Sequence, residues 1–280
     1  MRADLHCHSR YSDSSVTVQD IVRMAKLHQI DAIAITDHDT LAGQEEALLY
    51  GKQYGVEIVP GLELSGWDYK RQQKAHVLCY YPKKPEALSP ICQQIKESRE
   101  QTTLEMLHLV MEHYPITEEM VRERAKDSVT IYKQHIMHAL IDSGYSRRFF
   151  GELNQKLFSH KDGIANIEIV YPDVYAVLEA VQQAGGIAVM AHPGECREKG
   201  LLEELSSQGL LDGVELLCPK NDEAEIQRVK AIAEQYDLLT TAGTDFHGMY
   251  SSRNHHVGMF TMPIEWLDRL KVRASEKTPQ

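Results

Sequence analysis

Nine histidine and carboxylate side chains lie in short motifs whose residue types are those of metal ligands. Imidazole nitrogens mixed with carboxylate oxygens favour Zn²⁺, Mn²⁺ or Fe²⁺ over the all-oxygen sites of Mg²⁺ and Ca²⁺. Because one ion takes about four to six ligands, this number indicates a cluster of two or three ions. The candidate ligands are His6, His8, Asp13, His38, Glu63, His76, His192, Asp245 and His247.

The elements that must position these ligands are strands alternating with helices. Apolar runs predict seven strands, which span 2–6, 31–36, 56–59, 76–80, 187–191, 213–217 and 238–241. Thr17 and Thr40 are predicted to cap the first two connecting helices. All of the candidate ligands except His76, which opens a strand, stand at or just beyond the end of a strand. In a barrel of parallel strands these ends share one face, where catalytic groups gather.

The alternation is interrupted between residues 81 and 165, where helical spacing replaces strand signals. We therefore predict an α/β barrel made of residues 1–80 and 166–280, which carries the metal site. A helical insertion over 81–165 is predicted to form a lid on the pocket.

Charge and composition limit the partners. The 280 residues contain 30 Lys and Arg against 41 Asp and Glu, a net charge of −11, which disfavours stable binding of long nucleic acid. No apolar run approaches the roughly 20 residues of a membrane span, and no secretory signal pattern opens the sequence. Five scattered cysteines without a Cys-x-x-Cys spacing favour the reducing cytoplasm. A small anionic substrate remains possible where bound divalent cations offset the negative charge, and the oligomeric state stays open.

The motifs resemble those of the PHP (polymerase and histidinol phosphatase) superfamily, in the order of that family. They are Asp4-Leu5-His6-Cys7-His8-Ser9, Tyr11-Ser12-Asp13, Thr36-Asp37-His38-Asp39, Gly61-Leu62-Glu63, Ala191-His192-Pro193 and Asp245-Phe246-His247-Gly248. The resemblance implies a distorted (β/α)7 TIM-like barrel with three divalent metal ions, Mn²⁺ first, with Zn²⁺ or Fe²⁺ as alternatives. It also implies how the ligands divide: His6, His8, Glu63 and Asp245 on one ion, Glu63, His76 and His192 on the second, Asp13, His38 and His247 on the third.

The helical insertion fits the branch of stand-alone PHP phosphoesterases that act on 3′,5′-nucleoside bisphosphates and on 5′ ends of short RNA. The implied reaction is hydrolysis of a phosphate monoester, the 3′-phosphate of a nucleoside bisphosphate, by a metal-bound hydroxide. A histidinol-phosphate phosphatase is the alternative within the superfamily. A non-catalytic PHP-like module and a metal-dependent amidohydrolase are the alternatives of other classes.

Three further residues are predicted to bind substrate: Lys133, His135 and Arg197. The branch has an Arg-Pro-His segment where this sequence reads Lys133-Gln134-His135, so the charge is kept but the bidentate guanidinium is lost. Lys133 and Arg197 have an alternative interpretation as solvated surface charges. Asp37 and Asp39 are candidates either to supply the leaving-group proton or to orient a neighbouring imidazole.

Overall fold

The computed structural model describes residues 2–196, 199–252 and 254–279, and these form two sheets. The predicted substrate residue Arg197 lies outside the described residues. The strands are β1 (Arg2–Cys7), β2 (Ala32–Ile35), β3 (Glu57–Ile58), β4 (Gly61–Asp68), β5 (Gln73–Tyr80), β6 (Ile187–Met190), β7 (Gly213–Leu217), β8 (Leu239–Ala242) and β9 (Met262–Pro263). The first sheet has the order β3-β2-β1-β9 and the second the order β4-β5-β6-β7-β8.

Helices cover the outer faces of both sheets and supply the interruption between β5 and β6. They are α1 (Val18–Leu27), α2 (Gln44–Tyr54), α3 (Ser89–Met111), α4 (Glu118–Arg124), α5 (Lys133–Asp142), α6 (Glu152–Phe158), α7 (Val174–Gln183), α8 (Leu201–Ser207), α9 (Glu223–Gln235) and α10 (Ile264–Glu276). Within the described ranges, no helix is both long enough and apolar enough to cross a membrane.

Local sequence explains where the first two helices begin. The Thr17 side chain accepts a hydrogen bond from the Asp20 amide and caps α1, as predicted. The prediction that Thr40 caps α2 is wrong. Its hydroxyl accepts instead from the Ala42 amide two residues on, a local turn that competes with helix capping, and α2 begins after Gly43.

Parallel pairing follows the predicted alternation in most of the chain, at β1–β2, β2–β3, β6–β7 and β7–β8. The prediction fails around Glu63 and His76. Glu63 does not follow β3 but is the third residue of β4, and His76 lies in the middle of β5 rather than at its start. These two strands form an antiparallel hairpin, and β5 is also antiparallel to β6.

Side-chain alternation gives the hairpin two different faces. Leu62 and Leu64 of β4 pack with Val77 of β5 in the core beneath the outer helices. Leu78 faces the other way and packs with Leu5 of β1 in the core between the sheets. Glu63 alternates with the two leucines and therefore points towards the interior.

The two sheets approach each other where the ligand-bearing strands end. Cys7 forms an isolated parallel bridge with Phe246, and His38 forms one with Glu63. No continuous ladder joins the two sheets within the described part of the chain, so the fold is a mixed α/β structure. The closed barrel implied by the resemblance is not confirmed by these two sheets.

The helices between β5 and β6 have a hydrophobic core of their own. Met106, Leu107 and Val110 of α3 pack there with Ile136 and Leu140 of α5. The described residues of this region contain no strand, which agrees with the helical pattern in the sequence.

Gly243, directly after β8, lies close to His6 of β1 and leaves no room for a side chain. A Cβ atom at this position would lie 2.1 Å from the His6 Cβ and 2.6 Å from the His6 amide nitrogen. We therefore expect Gly243→Ala to lower the free energy of unfolding by about 1–3 kcal/mol, the usual cost of overpacking. Urea unfolding of the metal-free protein measures this change.

Gly151→Ala is the matched control. A Cβ there would meet only Arg148 side-chain atoms at 3.6 Å or more, so only the preference of a helix start for glycine is lost. Its expected cost is below about 1 kcal/mol. Equal stability of Gly243→Ala and the unmodified protein would contradict the close approach of β8 to β1.

Candidate metal centre

His6 and His8 lie at the end of β1, two residues apart. Because side chains alternate along a strand, both imidazoles are on one face, and Cys7 between them packs in the core beneath α1. The Nε2 atoms of the two imidazoles are 3.1 Å apart. Two nitrogens at this distance face a common point, which is the geometry expected of two ligands of one ion.

The Glu63 carboxylate lies at the middle of the cluster and is fully buried. Its two oxygens approach ring nitrogens of five imidazoles, at distances from 2.8 to 3.3 Å. One oxygen faces the β1 and β2 side, and the other faces the β5 and β6 side. The five imidazoles belong to His6, His8, His38, His76 and His192.

Asp13 and Asp245 supply the remaining carboxylates. An Asp13 oxygen lies 3.3 Å from the Nε2 of His247 and 4.0 Å from the Nε2 of His38. An Asp245 oxygen lies 3.4 Å from the Nε2 of His8. The fold thus brings all nine predicted ligands together, although they come from loops and strands far apart in the sequence.

Four groups of these residues place their ligand atoms within 4.8 Å of one another. These groups overlap the division of ligands implied by the resemblance but are not identical to it. In the structure His8 lies with Asp13, His38 and His247, and His6 lies with Glu63 and His192. The groups are His8, Asp13, His38 and His247; His6, Glu63 and His192; His6, His8 and Asp245; and His38, Glu63 and His76.

Unpaired buried atoms test whether this donor set fits metal ions. The Nδ1 of His8, the Oδ1 of Asp13, the Nδ1 of His38 and the Oε2 of Glu63 are buried without a hydrogen-bond partner. A buried polar atom without a partner is unfavourable. Divalent cations would be coordinated by all four of these nitrogen and oxygen atoms. The residues therefore fit a cluster of mixed nitrogen and oxygen coordination.

The carboxylates of the cluster are held in the ionised form that a metal requires. Burial alone would raise the pKa of Asp13, but the neighbouring His247 and His38 outweigh burial and hold it far below its usual range. His38 and His6 act in the same way on the pKa of Glu63. In return, the hydrogen bond to Glu63 overcomes burial and raises the pKa of His192 to about 9.

Two carboxylates that contact these imidazoles were not found by sequence reasoning. Glu215 on β7 lies 2.9 Å from the Nδ1 of His6, and it also accepts a hydrogen bond from the His192 amide. A Glu195 oxygen lies 3.2 Å from the Nδ1 of His192. The available signal was the single carboxylate in the apolar run Val214-Glu215-Leu216, inside a strand rather than at its end.

Asp37 and Asp39 have other partners than those predicted. Asp37 accepts hydrogen bonds from the hydroxyls of Ser9 and Ser12, both at 2.6 Å. Asp39 accepts from Ser65 and from the Arg99 guanidinium, the latter at 2.7 Å. Both carboxylates therefore fasten loops around the cluster, and the contacts to imidazoles are made by other residues.

Two of the residues predicted to bind substrate, Lys133 and His135, have different surroundings in the structure. Lys133 at the start of α5 lines the cavities beside the cluster together with Lys74. His135 is buried instead, its Nδ1 accepts the Tyr132 amide, and burial lowers its pKa to about 4. It therefore caps the start of α5. Gln134 between them donates to an Asp13 oxygen at 3.0 Å.

Comparisons with known proteins give the same family as the motifs. The PHP domain matches residues 4–187. A phosphoribosyl 1,2-cyclic phosphate 1,2-diphosphodiesterase of Eggerthella lenta is 35% identical over 265 residues, which is 94% of this chain and 100% of that protein. A 3′,5′-nucleoside bisphosphate phosphatase of Chromobacterium violaceum is 25% identical, over 87% of this chain and 86% of that protein.

Two further relatives extend this picture. A 5′-3′ exoribonuclease of Haemophilus influenzae is 27% identical, over 87% of this chain and 89% of that protein. The solved structure of a candidate metal-dependent phosphoesterase from Bifidobacterium adolescentis aligns with a TM-score of 0.86 at 28% identity, covering 97% of this chain and 96% of that one.

Fold, site and relatives together define a metal-dependent phosphoesterase, a hydrolase of phosphoric esters. The chain belongs to the PHP domain family. The resemblance carried by the six sequence motifs is thereby confirmed.

His192→Ala tests the metal centre. The variant removes an imidazole whose Nε2 lies 2.8 Å from Glu63, and we expect it to bind fewer ions than the unmodified protein while keeping its fold. Elemental analysis after gel filtration measures the metal content, and circular dichroism measures the fold. His108→Ala, which removes an exposed histidine of α3, is the control. Full metal content in His192→Ala would remove this residue from the ligand set.

Proposed function

We propose that the chain hydrolyses a phosphate ester of a small substrate that carries two phosphate groups, and that phosphoribosyl 1,2-cyclic phosphate belongs to this class. The observation that carries the proposal is the pair Lys74 and Lys133 beside the metal cluster. Among the described residues neither ammonium has a carboxylate within 4.0 Å, so both charges remain available to an anion. The 35% identity to the Eggerthella lenta diphosphodiesterase supports the phosphoribosyl substrate.

The electrostatics of Lys133 support an anion site. Burial and the positive charges of Lys74 and Arg99 lower the pKa of Lys133 to about 8. Arg99 is paired with Asp39, whereas the ammonium groups of Lys74 and Lys133 lie over the rings of Tyr171 and Phe158, at 5.7 and 5.9 Å from the ring centres. A second phosphate of the substrate would relieve this repulsion.

The roles of the chain's own residues follow from this geometry. The nine clustered side chains would hold divalent ions, which when bound activate water and neutralise charge on phosphate oxygens. The lysine pair would bind the phosphate that is not hydrolysed, and its distance from Glu63 would fix which ester bond reaches the cluster. Asp37 and Asp39, held by serine and arginine donors, would keep the loops of Asp13 and His38 in place.

The insertion over 81–165 is proposed to form the roof of the site. Lys133, Gln134 and Phe158 of the insertion line a cavity of about 530 Å³. Gln134 contacts Asp13, and Arg99 contacts Asp39, so side chains of the insertion fasten the roof to the metal-binding loops. These contacts support a fixed wall of the pocket more than a hinged cover.

A 3′,5′-nucleoside bisphosphate, or the 5′ end of a short RNA, is the second candidate substrate. It is favoured by aromatic side chains along the large cavity, Phe149, Phe150 and Tyr250, against which a base could stack. The bisphosphate phosphatase of Chromobacterium violaceum adds support at lower identity. Histidinol phosphate is disfavoured, because its ammonium group would meet the uncompensated lysines.

Substrate preference is measured by ³¹P NMR with the Mn²⁺-loaded enzyme. Equal concentrations of phosphoribosyl 1,2-cyclic phosphate, adenosine 3′,5′-bisphosphate and histidinol phosphate are compared. We expect ring opening of the cyclic phosphate to be fastest, with His192→Ala as the inactive control. Faster hydrolysis of the bisphosphate would favour the second candidate, and preference for histidinol phosphate would contradict the role of the lysines.

Lys133 is expected to set substrate affinity in a pH-dependent way. A lysine with a pKa of about 8 is charged below this pH and neutral above it, so KM should rise as the pH passes 8. Lys133→Met should raise KM about 10- to 100-fold at pH 7, the cost of a lost charged hydrogen bond, with a smaller effect on kcat. The charged or titratable groups that face it are Lys74, Arg99, Asp13, His38 and His76.

Lys133→Arg is the matched control for this pH dependence. A guanidinium stays charged throughout, so the KM of this variant should not rise between pH 7 and pH 9. Parallel profiles for Lys133→Arg and the unmodified enzyme would assign the pH dependence to another group.

A further inference from the structure

Glu215 reaches two of the candidate metal ligands from β7, a strand that contributes none of the nine. The residue is fully buried. Its Oε1 lies 2.9 Å from the Nδ1 of His6, and its Oε2 accepts the His192 amide at 2.8 Å. One carboxylate therefore connects the end of β1 with the turn after β6.

We propose that Glu215 is a positioning residue that presets His6 and His192 for metal binding. An imidazole that donates its Nδ1 proton to a carboxylate keeps the lone pair on Nε2. In His6 this leaves Nε2 facing the interior of the cluster, 3.3 Å from Glu63 and 3.1 Å from the Nε2 of His8. Glu215 thus selects the tautomer and fixes the ring direction before any ion arrives.

The contact with His192 acts on the backbone. His192 has φ 26° and ψ 62°, in the left-handed region, although it precedes Pro193, where extended backbone is favoured. Such a conformation persists only where its surroundings hold it in place. Glu215 holds the His192 amide, and the buried Asn221 side chain accepts the Gly194 amide of the same turn at 2.8 Å. The strained turn directs the His192 ring at Glu63.

Asp212 offers a matched control in the same pair of strands. It is also buried and also accepts a backbone amide of β6, that of Ala188, at 2.9 Å. Its second oxygen contacts Lys277 instead of an imidazole. Asp212→Asn and Glu215→Gln therefore remove one charge and one acceptor each, but only the latter touches the metal cluster.

The experiment measures metal affinity and does not involve substrate, so its result is independent of the proposed phosphoribosyl activity. A chromophoric chelator competes for Zn²⁺ or Mn²⁺ with each purified protein. The side-chain amide of a glutamine at 215 has one oxygen that accepts and one NH₂ group that donates. The NH₂ group would therefore face either the Nδ1 of His6 or the His192 amide, and one of the two hydrogen bonds would be lost. We expect Glu215→Gln to weaken metal binding 10- to 100-fold and Asp212→Asn to leave it unchanged.

A second readout uses the metal-free protein. Long-range ¹H–¹⁵N spectra detect the proton on the Nδ1 of His6, which should be held in a single hydrogen-bonded state in the unmodified protein and in more than one state in Glu215→Gln. Unchanged metal affinity in Glu215→Gln, or equal losses in both variants, would overturn the proposal. If Glu215→Gln does not fold, Glu215→Asp replaces it, because this variant keeps the charge but is one methylene shorter. A metal affinity of Glu215→Asp equal to that of the unmodified protein would also overturn the proposal.

Discussion

The buried carboxylate of Glu63 among five imidazoles is the interaction on which the rest of the site depends. A charge in the interior is tolerated only when neighbouring groups compensate it, and here the compensation comes from four different parts of the chain. His6 and His8 come from β1, His38 from the loop after β2, His76 from β5 and His192 from the turn after β6. The two sheets must therefore meet where these elements end, and the bridge between His38 and Glu63 lies at that meeting point.

The antiparallel hairpin of β4 and β5 is the structural solution that places Glu63 at the centre. Glu63 pairs with Leu78, and Ser65 pairs with His76, so Glu63 and His76 are diagonal neighbours on one face. The opposite face carries Leu62, Leu64 and Val77 and anchors the hairpin in the core under the helices. The strands β1 and β6 present His6 and His192 at or just beyond their carboxyl ends, whereas the hairpin presents Glu63 and His76 from within its strands.

The clustering of the candidate metal ligands could be predicted from the sequence because each stands in a short motif with a local meaning. Most of the strands near them could be predicted for the same reason, but β4, which carries Glu63, could not. Partnerships over long distances could not: Glu215 contacts His6 across 209 residues, and nothing in the residues around either one indicates the other. His135 shows that a local motif can also have a structural use, since its hydrogen bond to the Tyr132 amide caps α5. Thr40 likewise had the right residue type for a cap, but a nearer amide was available to it.

Distant contacts also hold the helical insertion against the loops that carry Asp13 and His38. Its own core would let it pack without the sheets, yet Arg99 leaves that core and inserts its guanidinium between the rings of Tyr132 and Tyr171 to reach Asp39. Burying an arginine this way is favourable only because it is paired with a carboxylate, and Ser65 fixes that carboxylate in place. The pair draws α3 and α5 against the loop of His38, which carries Lys133 to the edge of the metal cluster. If the insertion forms the roof of the site as proposed, the same arrangement would also set the spacing between the lysines and the metal cluster, and with it the size of substrate that could contact both.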